Sequence, residues 1–351
     1  MHAAQTVKRR TMPRNLDISK RSPEAEQVLA TLYRRVVGQE QASHILVDIV
    51  ENFQAGFTRV GKPAGTVLFL GPTGSGKTHV VESLCKGLFG NERACIKIDC
   101  GEFQHSHEIA KLIGSPPGYL GHRETNPMFT QEALNQFHTD SLKLSVVLFD
   151  EIEKSSDALW NLMLGIMDKA VLTLGDNRTV DFSKVIIVMT SNLGATEMGD
   201  AINGGFGFAA PSTSTSVNDE VLASIAVDAA KRHFTPEFYN RLDHVAVFKT
   251  LTEAQIADVL NVELDQAQVR LLFTSKVKVF WNVLPKAKAR LVKEGYSPKY
   301  GARHLGRAVE KMVIIPLARL VASGQLQDRD SVVINEVGKE EFSFELEEGT
   351  L

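Results

Sequence analysis

A chain of 351 residues that is 43% hydrophobic and 23% charged can fill a large core, most simply as two packed units, and it excludes collagen-like, disordered and mini-protein classes. The 39 basic and 42 acidic residues leave a net charge of −3, so no overall field recruits nucleic acid or an anionic membrane, and neither is expected as a partner. No uninterrupted apolar stretch approaches the roughly 20 residues of a membrane helix, and the opening MHAAQTVKRR carries no apolar segment of signal-peptide type. These features read as a soluble, cytoplasmic protein. The basic, acid-poor start fits a flexible segment or neighbour-contacting arm over residues 1–22 better than a transit peptide. Cys85, Cys95 and Cys100 lack C-x-x-C spacing and suggest buried thiols in a reducing compartment, and Cys100 with His105 and His107 lacks a fourth ligand at zinc-like spacing.

Ser22, Pro23 and Glu24 mark a helix start, with Ser as N-cap and Pro at the first helical position, and Val28, Leu29, Leu32 and Val36 follow at helical spacing. A second helix follows Gly38, its apolar residues running from Ala42 to Phe53 until Gly56 ends the pattern. Short apolar runs at 66–70, 94–98, 146–149 and 185–190 read as strands buried on both faces. Helical stretches are predicted after Lys77 and at 105–113, 129–137 and 156–167. This alternation predicts an α/β fold with a doubly wound parallel sheet and a ligand at the carboxyl ends of the strands. The Gly-, Ser- and Thr-rich stretch 199–218 reads as a mobile excursion. From about Thr250, long amphipathic helices are predicted at 252–272 and 302–322, then strands at 331–334 and 342–346, which make a smaller, mostly helical unit with a short sheet. The expected division is a large nucleotide-binding subdomain over 23–249 and a small one over 250–351.

The strongest chemical signal is GPTGSGKT, comprising Gly71, Pro72, Thr73, Gly74, Ser75, Gly76, Lys77 and Thr78, between the first strand and a helix. Glycines let backbone amides approach phosphates, Lys77 sets a positive charge on the outer phosphates, and the Thr78 hydroxyl suits Mg2+. The run VVLFDE ends its strand in Asp150 and Glu151. Beside a phosphate loop, the first acid is expected to hold Mg2+ through water and the second to polarise the attacking water. The strand at 185–190 runs into Ser191 and Asn192, whose amide is placed either to hold the same water or to serve a plain turn.

In order and spacing, VVGQEQA, GPTGSGKT, GSPPGYLG, VVLFDEIEK, GDNRTVDF, MTSNLGA, TPEFYNRLD and YGARHLGRAVE resemble the AAA+ modules of the Clp heat-shock unfoldases, most of all the second module of two-module members. The resemblance covers the chain from about Val36 to the C-terminus. It implies ATP with Mg2+, Val36 and Val37 lining an adenine pocket, Asn192 as first sensor, Arg303 as second sensor, and Arg241 as a finger reaching a neighbour's ATP. An arginine supplied in trans is worth about 10³ to 10⁵ in rate, so a homo-oligomeric ring, a hexamer by family analogy, is implied. The resemblance also puts Tyr119 on a pore loop that grips extended polypeptide substrates. Phe206, Gly207 and Phe208 fall where members that feed a Clp-type protease carry a docking loop; rings folded back on the domain are the plainer alternative.

Two features depart from the pattern. Only one module is present, with no heptads for a coiled-coil arm, and HRETNPMF replaces the small glycine-containing segment expected after the pore aromatic. The leading expectation is an ATP-hydrolysing, stress-response unfoldase ring that threads polypeptide, with a Clp-type protease as a candidate partner. The alternative is a nucleotide-switched assembly or scaffold protein with little unfolding activity. Near-neutral charge disfavours a nucleic-acid motor.

Overall fold

The computed structural model describes residues 17–115, 126–202, 219–297, 301–337 and 341–347. Tyr119, Phe206, Gly207, Phe208 and residues 1–16 of the basic start lie outside them. The first helix begins as its sequence dictates: Pro23 opens Pro23–Arg35, and the Ser22 hydroxyl accepts from the Ala25 N–H at 3.1 Å. The second helix spans Glu40–Gln54.

Ten strands lie among the described residues: β1 (Gly65–Leu70), β2 (Ile96–Asp99), β3 (Ser145–Asp150), β4 (Val171–Thr173), β5 (Thr179–Asp181), β6 (Val185–Ser191), β7 (His244–Val247), β8 (Phe280–Val283), β9 (Ser331–Val337) and β10 (Glu341–Leu346). Five of them form a parallel sheet in the order β2-β3-β6-β1-β7. Strand alternation divides this sheet between two cores. Leu68, Leu70, Val147, Phe149, Ile187 and Met189 face the helices Asp157–Lys169 and Asp219–His233. Val67, Phe69, Val146, Leu148, Ile186 and Val188 face Pro23–Arg35, Glu40–Gln54 and Lys77–Phe89. The doubly wound α/β expectation therefore holds, since residues buried on both faces produce the continuous apolar runs of the sequence.

A third core, built from residues such as Leu260, Leu291, Leu305, Val313 and Ile334, belongs to the C-terminal part. Helices Glu253–Thr274 and Pro285–Gly295 pack there against a sheet of order β10-β9-β8, with β9 antiparallel to β10 and parallel to β8. Thr252 and Gln255 form a reciprocal capping box at the start of the longer helix.

Several sequence expectations need correction. The single helix expected at 302–322 is composite: a 3₁₀ turn Ala302–His304, α-helical Leu305–Val309, a π turn Glu310–Ile314 and α-helical Ile315–Ala322. Pro316 has no N–H for the carbonyl of Met312, and the ladder widens just before it. The stretch 105–113 holds a 3₁₀ turn, Ser106–Ile109, and one α turn, Ala110–Ile113, stopped by Gly114 at φ 79°. The helix expected at 129–137 shrinks to Gln131–Asn135. Residues 199–202 of the expected excursion belong to the helix Ala195–Ile202, and 203–218 lie outside the described residues. Strands β4, β5, β7 and β8 are additions, each only three or four residues long and below the length at which a period can be read. Among the described residues, no helix is long and apolar enough to cross a membrane.

Candidate functional site

The strand order sets the carboxyl ends of β3, β6 and β1 side by side, so three loops distant in sequence meet at one edge. The loop after β1 depends on its glycines. Gly71, at φ 144°, leaves room for no side chain, because a Cβ there would lie 2.6 Å from the Phe248 carbonyl oxygen. Gly74 and Gly76 have φ of 78° and 96°, and a Cβ on Gly76 would meet no atom within 4 Å, which leaves open space beside its amide. Lys77 opens the next helix and is buried. Its ammonium donates to the carbonyls of Gly71 (2.7 Å) and Pro72 (2.9 Å) and to Asn192 Oδ1 (2.9 Å). Burial pushes this lysine down to about 8, against the opposing pull of Glu153, Asp150 and Glu151.

The Thr78 hydroxyl donates to the Asp150 carboxylate, with oxygens 3.2 and 3.3 Å away. Asp150 also accepts from Thr190 Oγ1 at 2.5 Å and pairs with Lys97 at 3.2 Å. Glu151 sits in the left-handed region at φ 59°, ψ 51°, a conformation that costs a non-glycine residue about 1 to 3 kcal/mol and is held from several sides. Its N–H donates to Thr190 Oγ1 (3.0 Å), Asn192 Nδ2 donates to its Oε1 (3.1 Å), and Lys154 pairs with its Oε2. The Asn192 N–H donates to Glu153 Oε1 at 3.0 Å. Lys77, Thr78, Asp150, Glu151 and Asn192 thus form one connected polar cluster.

These groups line a cavity of about 400 Å³ that continues between the large sheet and the C-terminal helices. Val36 and Val37 form part of one wall, with Leu251, Val259 and Val262 among the apolar residues further along. Arg303 lines the cavity as well, and its guanidinium has no ion-pair partner among the described residues. The turn carrying it touches the phosphate loop directly: a Cβ on Gly301, at φ 57°, would lie 2.9 Å from the Gly74 carbonyl oxygen.

Arg241 does not join this cluster. Thr66 Oγ1 donates to the Arg241 carbonyl at 3.1 Å, and the Asp243 N–H donates to the Thr66 carbonyl at 3.0 Å, which fixes Arg241 at the amino end of β1. The phosphate loop leaves the other end, a strand of about 20 Å away. The Arg241 guanidinium donates from Nε to Asp168 at 2.6 Å and pairs with Glu237 at 3.2 Å, and Asp168 also accepts from Lys62 at 3.3 Å.

Residues 62–245, more than half of the chain, match the family model described as AAA domain (Cdc48 subfamily). The chain belongs to the AAA+ ATPases. Residues 251–334 match the C-terminal, D2-small domain of ClpB protein, so the AAA+ core is followed by the small domain of a second Clp module. The ClpC subunit of Staphylococcus aureus (strain USA300), an ATP-dependent Clp protease ATP-binding subunit, is 35% identical over 330 residues. That alignment covers 93% of this chain and 38% of ClpC; the Staphylococcus epidermidis ClpC is 36% identical over 320 residues. The Hsp104:casein complex of S. cerevisiae in its extended conformation superposes with a TM-score of 0.75 at 29% identity, covering 90% of this chain and 51% of that one. The S. cerevisiae Hsp104-ADP complex gives 0.74 with the same coverage. This AAA+ chain therefore spans about two fifths of the ClpC length and about half of Hsp104.

Nucleotide binding comes with the family, and the donors present suit Mg2+. The Thr78 hydroxyl and Asp150 carboxylate are hard oxygens side by side, with no thiolate or imidazole between them. Elsewhere among the described residues, no cluster of three or more His, Cys, Asp or Glu is placed to hold a metal. Four polar residues of the AAA+ site escaped the sequence reading. Thr190 and Lys97 reach Asp150 from neighbouring strands, Glu153 holds the Asn192 amide, and Gln39 Nε2 ties the carbonyls of Ser75 (3.2 Å) and Lys249 (3.1 Å). Only Thr190 left a signal, a polar residue ending an apolar strand next to Asn192.

Proposed function

We propose that this AAA+ chain binds ATP with Mg2+, hydrolyses it and works as a homo-oligomeric ring, hexameric by family analogy, that threads polypeptide through a central pore. The carrying observation is the meeting of the Lys77 loop, Asp150 and Glu151, Asn192 and Arg303 around one cavity. In this reading Gly71 to Thr78 cradle the phosphates, Val36 and Val37 wall the adenine, and Glu151 polarises the attacking water, with Asn192 orienting it. Thr78 and Asp150 hold Mg2+, which neutralises phosphate charge when bound. Arg303 senses the nucleotide from the small subdomain.

The ring rests on Arg241. Its placement at the far end of β1 puts it out of reach of its own phosphate loop, so a finger role requires a second copy of the chain. The relatives' names support the rest: casein is bound by Hsp104, and ClpC is the ATP-binding subunit of a protease. Tyr119 is then the pore aromatic and Phe206, Gly207 and Phe208 the docking loop for a Clp-type protease, in a cytoplasmic protein.

An unfolded model polypeptide is expected to raise the ATPase rate of the wild-type chain several-fold and to leave that of Tyr119→Ala unchanged. Robust ATPase indifferent to both polypeptide and Tyr119 would overturn threading in favour of a nucleotide-switched scaffold.

Lys77 supplies a second check. Burial pushes its ammonium down to about 8, and a phosphate beside it must raise that value. Binding of MgADP is therefore expected to take up protons, more at pH 8 than at pH 7, where a larger share of the ammonium is already charged. Calorimetry in two buffers of different ionisation enthalpy reads this directly. An uptake that does not grow from pH 7 to pH 8 would remove Lys77 from the phosphates.

A further inference from the structure

The last carbonyls of an α-helix have no partner within the helix. At the end of Pro23–Arg35, the Arg35 carbonyl finds one in another element: His79 Nε2 lies 2.9 Å from Arg35 O. A carbonyl can only accept, so the proton of this contact sits on Nε2 and the imidazole donates; Nδ1 lies 3.9 Å from Glu82 Oε2.

The position of this contact gives it a consequence for the site. His79 follows Thr78 on the helix that starts in the phosphate loop, and Arg35 directly precedes Val36 and Val37; all five residues line the cavity. The hydrogen bond therefore joins the phosphate-binding element to the apolar wall through the main chain. Beyond the apolar packing of Val28 and Leu32 with Val80, Val81 and Leu84, the other polar ties run through the Arg35 side chain, which donates to Ser83 Oγ at 3.2 Å and pairs with Glu92, just past the helix Lys77–Phe89, at 2.8 Å. A swinging guanidinium leaves the main chain free to move, whereas a bond to the Arg35 carbonyl fixes the peptide that leads into Val36.

We propose that His79 is a positioning residue for nucleotide binding: donation from its Nε2 to the Arg35 carbonyl holds the Val36 and Val37 wall at the distance from the phosphate loop that a nucleoside diphosphate spans. The inference rests on the reading of this cavity as the nucleotide site. It sets affinity without touching the ligand's phosphates.

The test is MgADP binding by the full chain, measured by calorimetry. His79→Met keeps the volume and removes the donor, and is expected to weaken binding about tenfold, the factor one such hydrogen bond carries. His79→Gln places an amide N–H where Nε2 stood and is expected to bind within about twofold of wild type. Amide exchange at Val36 without nucleotide should quicken in His79→Met and not in His79→Gln. Should the thioether not be tolerated, His79→Asn, polar but too short to reach Arg35 O, takes its place. Wild-type affinity in the variant without the donor, or equal loss in His79→Gln, would overturn the proposal. A wild-type chain that binds no ADP would instead remove the nucleotide reading itself, a distinguishable result.

Discussion

Glu151→Gln is expected to retain nucleotide binding and to lower ATP turnover by about 10² to 10⁴, the range a positioned general base supplies. Glutamine is close to glutamate in shape, and its carbonyl can still accept from Asn192 Nδ2, which lies 3.1 Å from Glu151 Oε1. The left-handed backbone at this residue and its N–H bond to Thr190 do not involve the side chain. Only charge and basicity change. The partly exposed ion pair with Lys154 is lost, at little cost to stability. Lys77, Thr78 and the glycine amides are untouched, so calorimetry should find ATP bound nearly as tightly, and a phosphate-release assay should find it almost unspent. Rings assembled with ATP should last longer for the same reason. Turnover within a few-fold of wild type would refute Glu151 as the base and shift attention to Glu153, whose Oε1 accepts from the Asn192 N–H.

The parts of this site that sequence discloses are those whose chemistry is local. GPTGSGKT carries its own strand, turn and helix start, and Asp150 and Glu151 announce themselves as acids ending an apolar strand. That Thr78 meets Asp150 follows once the sheet is known to be parallel, because the carboxyl ends then share an edge. The Thr190 role could not be read in this way. Its hydroxyl meets Asp150 because β3 and β6 pair with Phe149 opposite Met189, and register between strands some 40 residues apart leaves no local trace. Lys97 is hidden for the same reason, since its partner is chosen by the pairing of β2 with β3. His79 reads simply as a polar residue on a helix until the end of Pro23–Arg35 is seen beside it. The C-terminal helix misleads in the opposite direction, because its apolar spacing continues through the π turn before Pro316 and suggests one element where the backbone makes several. Tyr119 and Phe206 to Phe208 rest on resemblance alone, and a single large ring on a loop has no periodic signature to support it.

Arg241→Ala is expected to lower the ATPase rate by about 10³ to 10⁵ while leaving MgADP binding by the protomer unchanged. Binding should survive because Arg241 sits at the amino end of β1, held to Thr66 through its carbonyl, and contributes nothing to the cavity around Lys77. The fold should survive because Asp168, the carboxylate that Arg241 pairs with, keeps Lys62 at 3.3 Å, and a partly exposed pair contributes little. A fall in rate alone would not show whose ATP the arginine serves. Mixing does. Arg241→Ala subunits retain an intact phosphate loop, and Lys77→Ala subunits retain an intact finger, so each is inactive alone. A mixed ring sets the good arginine of one beside the good loop of the other, and ATPase should reappear, highest near equal amounts. Restored activity would require the two residues to act across a subunit boundary. Assembly into mixed rings without any recovery would confine Arg241 to its own chain, and its ion pair with Asp168 would then be its whole role.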